Sequence, residues 1–132
     1  MSKENVDRLR ALLQGWNPGD EGDMSLLDPS VVYEDSILPD HVGETYRGYE
    51  GVVRATKRWL EAYEQVTVEL ERVVDAGERI VSIHRARSRA RHTGIESELR
   101  FAYVWTFRGG RVIHFRSCRD PQEALEDAGP RE

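Results

Sequence analysis

The chain has 132 residues, a formal net charge of −5 and 33% charged residues, the profile of one folded domain (residues 1–132) with a heavily charged surface. The acidic balance argues against nucleic acid as a partner, and no window approaches the roughly eighteen apolar residues of a spanning helix, so no membrane partner is expected. The single cysteine, Cys118, excludes an intrachain disulfide, and the polar start Met1-Ser2-Lys3-Glu4-Asn5 reads as no signal peptide, so a cytoplasmic protein is expected.

Taken in order, Val6, Leu9, Leu12, Leu13 and Trp16 recur at helical spacing and predict an amphipathic helix from Ser2 to Gly15, ended by Asn17-Pro18-Gly19-Asp20. A short helix is expected over Glu21–Leu27, stopped by Asp28-Pro29, and a short strand over Val31–Asp35. Ser36 to Gly48 reads as a loop. Tyr49–Tyr63 reads as a helix with Val52, Val53, Thr56, Trp59, Leu60 and Tyr63 as its apolar stripe. Four strands follow, over Val66–Val74, Ile80–Arg91, Ile95–Phe107 and Val112–Arg119, with His92-Thr93-Gly94 and Gly109-Gly110 closing two hairpins. Pro121 starts a last helix that runs to Ala128.

Helices segregated from a run of antiparallel strands define an α+β protein. The long strands predict a curved antiparallel sheet wrapped around the N-terminal helices, a cone with an open mouth. Period-2 alternation assigns the faces. Leu99, Phe101, Tyr103, Trp105 and Phe107 share the inner face of one strand, and Ile113, Phe115 and Ser117 that of the next. Arg85, Arg87, Arg89 and Arg91 must face water, which turns His84, Ala86 and Ser88 inward. An inner face that mixes large aromatics with alanine and serine leaves room for a cavity.

Several segments resemble the nuclear transport factor 2-like superfamily, and within it the SnoaL-like group. They are Val31-Val32-Tyr33-Glu34-Asp35, Tyr46-Arg47-Gly48-Tyr49-Glu50-Gly51-Val52, Asp75-Ala76-Gly77-Glu78-Arg79-Ile80-Val81, Val104-Trp105-Thr106-Phe107-Arg108-Gly109-Gly110-Arg111-Val112 and Asp120-Pro121-Gln122-Glu123-Ala124-Leu125. The resemblance implies the cone fold. It does not imply one activity, because the superfamily holds cyclases, ketosteroid isomerases, dehydratases, epoxide hydrolases and transport factors.

The resemblance implies that Asp35 is a general base, as the matching aspartate is in the cyclases and ketosteroid isomerases. Tyr103 matches the position of the isomerases' protonated aspartic acid, and a phenol can likewise donate to an oxyanion. Those isomerases also use a tyrosine on the first helix, where this chain has Leu12, Leu13 and Trp16, so steroid isomerisation by that route is not expected. His84, inward by parity, could make a proton-transfer pair with Asp35. Each has a structural reading as well. Asp35 could cap a turn, and Tyr103 and His84 could be satisfied core residues. Trp16, Tyr33, Trp59, Tyr63, Phe101, Trp105, Phe115 and Ser117 are the candidate ligand-binding set, with the aromatics suited to a flat apolar ligand. No two histidines have ligand spacing, so neither a metal nor another cofactor is expected.

Two functions stay open. One is a pocket protein for a small apolar ligand or substrate, acting as a cofactor-free isomerase, cyclase or hydrolase on a cyclic substrate. The other is a non-catalytic ligand-binding or dimerisation module. On the outer sheet face the arginines are expected to pair with Glu69, Glu71, Glu96 and Glu98. Val81, Ile83 and Val104 also lie there with no helix assigned to cover them, so a homodimer through that face is expected. Cys118, outward by parity, reads as structural.

Overall fold

The computed structural model describes residues 2–18, 24–36 and 44–129. The elements are α1 (Ser2–Leu13), a single 3-10 turn (Met24–Leu26), β1 (Leu27–Asp35), β2 (Glu44–Arg47), α2 (Gly48–Ala62), β3 (Tyr63–Asp75), β4 (Arg79–Ala90), β5 (Glu96–Arg108), β6 (Arg111–Cys118) and α3 (Pro121–Ala128). The strands form one six-stranded sheet in the order β2-β1-β6-β5-β4-β3. The architecture is the expected α+β cone, but the sheet is mixed. β1 runs parallel to β6 while the other neighbours are antiparallel.

The N-terminal third departs most from the sequence reading. Of the short helix expected over Glu21–Leu27, only Met24–Leu26 turns, as a 3-10 turn, and residues 21–23 lie outside the described residues. The strand then begins at Leu27 and carries Asp28-Pro29 within it. Pro29 is tolerated because it falls in the register shift between Leu27 and Val32, where pairing with β6 lapses and no ladder bond needs its missing N–H. Part of the expected Ser36–Gly48 loop is the strand β2, and residues 37–43 lie outside the described residues. Gly51 lets α2 press on that strand, since a Cβ there would sit 3.0 Å from the Tyr46 carbonyl carbon.

Most of the core lies between the helices and the inner sheet face. Leu9 and Leu13 of α1, Ala55 and Trp59 of α2, and Phe101, Tyr103, Trp105 and Phe107 of β5 belong to one buried cluster. The parity argument for β4 and β5 holds, with His84 opposite Phe101 and Ser82 opposite Tyr103. On β6 it needs one amendment. A bulge opposite Thr106 and Phe107 turns Val112 fully inward, in place of Ile113.

The outer face has two halves. One is the arginine comb, where Arg85, Arg87 and Arg89 pair with Glu71, Glu98 and Glu96, and Glu71 also reaches Arg100. Arg91 leaves the comb and donates to the carbonyls of Leu60 and Tyr63 at the end of α2. The other half is not bare. Val81, Ile83 and Val104 are buried with Cys118 beneath Ala124 of α3, flanked by Leu125 and Ala128. Asp120 caps α3 by accepting from the Gln122 N–H, and Pro121 opens it. The apolar residues that gave the motive for a homodimer are therefore covered within one chain.

Two stability outcomes follow. Trp59→Ala should cost about 3–5 kcal/mol in urea unfolding, whereas Arg89→Ala should stay within roughly 0.5 kcal/mol; similar losses would mean that the facing is misassigned. Ala124→Asp puts a carboxylate under α3, so it should cost on the order of 3 kcal/mol and make the protein self-associate on sedimentation.

Candidate functional site

The concave side of the cone holds a cavity of about 550 Å³ between α1, α2 and the sheet. Alternation brings its wall together. Tyr33 from β1, Tyr103 and Trp105 from β5 and Phe115 from β6 face it, and Trp16 and Trp59 close it from the helical side. The sheet side is a stack of rings. Trp105 lies on Phe115 at 4.5 Å between centroids and 13° between planes, and Phe115 lies on Tyr33 at 4.4 Å and 23°. Tyr33 in turn stacks on Tyr46 at 6.0 Å. Such a wall suits a flat apolar molecule.

The polar groups near this wall belong mainly to Tyr33, Tyr103 and Asp35. Asp35 shares parity with Val31 and Tyr33, so it points inward at the end of β1, where it is fully buried. The Ser117 hydroxyl donates to Asp35 Oδ1 at 3.2 Å and accepts from the Ser36 N–H at 2.9 Å. Burial pushes the Tyr33 phenol well above its ordinary range, and Tyr103 and Asp35 push it the same way. Burial, then the Asp35 carboxylate, raises Tyr103, while a hydrogen bond accepted from Tyr33 opposes the rise. Both phenols are thus neutral near pH 7. Tyr46, whose hydroxyl donates to Glu44, is pushed up to about 12, first by burial and then by that bond.

The structure separates residues that the sequence grouped. Asp35 and His84 are fully buried and neither reaches the cavity wall, so only Tyr103 of the candidate trio lines it. Phe101 is buried behind the wall against Trp59 and His84. Tyr63 is half-buried at the junction of α2 and β3, and Ser117 lies beside Asp35. His84 takes Ser82, not Asp35, as its partner, at 2.8 Å, and the Trp105 indole N–H donates to that same Ser82 oxygen at 2.8 Å. The lining that sequence reading missed includes Met24 and Leu27, hidden by the wrong secondary structure, and Lys57 beside the apolar stripe of α2. Among the described residues no group of three His, Cys, Asp or Glu could hold a metal ion. Burial also raises the Cys118 thiol, which keeps it unreactive.

His84 leaves a measurable signature. Burial lowers its pKa from 6.5 to about 4, partly opposed by Glu71. The folded value is below the unfolded one, so the unfolded chain binds more protons between pH 6.5 and 4, and stability falls as pH drops through that window. From pH 7 to pH 5 the wild type should lose on the order of 2 kcal/mol more than His84→Gln in urea unfolding. Parallel losses would place the imidazole in a more polar setting.

Comparison with known proteins agrees with this geometry. The SnoaL-like domain model matches residues 9–115. No curated protein matches the chain. A protein from Jannaschia sp. CCS1, assigned as a SnoaL-like polyketide cyclase, superposes with a TM-score of 0.73 at 18% identity, covering 98% of this chain and 94% of that one. A protein of ketosteroid isomerase-like fold from Catenulispora acidiphila DSM 44928, solved with trimethylamine, gives 0.68 at 19% identity over 98% and 95%. TerC co-crystallised with polyporic acid gives 0.59 at 18% identity over 81% and 83%. At these identities the structures speak for the fold alone, whereas the domain match covers most of the chain, which belongs to the SnoaL-like family of the nuclear transport factor 2-like superfamily.

Proposed function

We propose that the protein binds a flat, apolar cyclic molecule bearing a carbonyl or hydroxyl oxygen, and that Asp35 serves as general base for a cofactor-free rearrangement of it. The observation that carries this reading is the stacked wall of Trp105, Phe115 and Tyr33, with the Tyr103 hydroxyl beside it and a buried carboxylate coupled to both tyrosines. A ligand ring lies on the stack. Its oxygen accepts from Tyr103, whose buried phenol holds its proton near pH 7. Charge that develops on that oxygen is stabilised by a donor already in place. Asp35 does not line the cavity at rest, so in this reading the substrate meets it only when the Ser117 hydroxyl releases it; Asp35 then takes the proton from the carbon beside that oxygen and returns it to another carbon of the ring system.

A second copy, if it docks on the outer sheet face, meets the ion-pair ladder of Arg85, Arg87 and Arg89, since α3 covers the apolar half.

Tetralone, a fused-ring ketone with exchangeable α-hydrogens, tests both parts. It should quench the fluorescence of Trp16, Trp59 and Trp105. Tyr103→Phe should weaken it about tenfold while leaving the parent hydrocarbon unchanged, the effect of one lost hydrogen bond. Asp35→Asn should still bind it but lose about a hundredfold or more of enzyme-promoted α-deuterium exchange. Equal exchange in wild type and variant would remove the base and leave a binding module.

A further inference from the structure

The cavity has one charged residue among its described lining, and it is a cation. Lys57 sits on α2 between Val53 and Leu60, at spacings that put all three on one side of the helix. Val53 and Leu60 are 42% and 37% exposed, so the mouth has an apolar rim in which Lys57 is the polar feature. The other cations of this part of α2 are engaged elsewhere. Arg54 lies over the Tyr46 ring, and Arg58 faces Glu44 at 3.6 Å. Lys57 makes no salt bridge with a described residue, not even with Glu61 one turn on. Thr56 next to it returns its hydroxyl to the Val52 carbonyl, so it offers little to a ligand. The chain as a whole is acidic, with a net charge of −5, which repels anions everywhere that no local cation offsets it.

The pocket is therefore polar at two separate places. Two tyrosines belong to the sheet side of the lining, and its one charged residue among those described, Lys57, belongs to the helical side and is exposed. We infer that the ligand of this pocket is an amphipathic acid, a fused-ring body with a carbonyl or hydroxyl oxygen for Tyr103 and a carboxylate at its other end for Lys57. This inference rests on the pocket reading above and adds the ligand's charge and polarity to it. The ammonium selects among ligands and orients them with the oxygen toward the sheet. It takes no part in proton transfer.

The test compares a tetralone carboxylic acid with its methyl ester by fluorescence titration at pH 7, in the wild type, Lys57→Met and Lys57→Glu. The wild type should prefer the acid by about fivefold, the upper range for an exposed ion pair, and the preference should shrink with added salt. Lys57→Met should abolish the preference without changing ester affinity, and Lys57→Glu should invert it. Equal binding of acid and ester by the wild type, or a parallel loss of both in Lys57→Met, would overturn the inference and leave the pocket reading standing. Failure of both compounds to bind the wild type would remove the pocket reading itself, and the inference with it.

Discussion

The strand β5 crosses the middle of the sheet with two unlike faces. Phe101, Tyr103, Trp105 and Phe107 point to one side, Ala102 and Val104 to the other. Because side chains alternate strictly, a slip by one residue would send every ring to the wrong layer. The bulky face needs thick cover, and α1 and α2 supply it, leaving the cavity where cover and sheet do not meet. The smooth face takes a thin cover, and the eight-residue α3 is enough. Site and stability thus share one pattern: Tyr103 and Trp105 line the cavity while Ala102 and Val104 seat the closing helix.

That pattern is easy to read from the sequence because it is local and repeated. Four arginines at every second position settled the facing of β4, and with it the inward place of His84. Other features were harder to see. β2 is four residues long and shows only Tyr46 inward, too short for a period to register. Asp28-Pro29 looks like a stop because proline usually is one, and only the lapse in pairing with β6 explains its place inside β1. The cover given by α3 depends on where the chain returns after β6, which no spacing within α3 records. The bulge on β6 likewise exchanges Ile113 for Val112 through a one-residue irregularity that alternation cannot foresee.

Depth was the other missing quantity. Parity gives a side, not a distance from the surface. Asp35 and His84 both lie on the inner side, but each is fully buried and off the cavity lining. A buried polar group needs a partner, and the two find different ones. Ser117 holds Asp35 and ties the end of β1 to β6. Ser82 holds His84 and, through the same oxygen, fixes the edge of Trp105. The first arrangement keeps a carboxylate near the tyrosine pair. The second keeps one ring of the cavity wall from turning.

The contact between Gly51 and Tyr46 bears on how such a site can change. α2 is held against β2 by the absence of an atom, and the same helix carries Lys57, Trp59 and Leu60 to the far side of the cavity. The spacing between helix and sheet is therefore set at a residue that touches no ligand. A methyl group at position 51 would press on the Tyr46 backbone at 3.0 Å, so helix or strand must give by a few tenths of an ångström on the side that carries these residues. A change at position 51 therefore reaches the chamber without altering any residue of its lining.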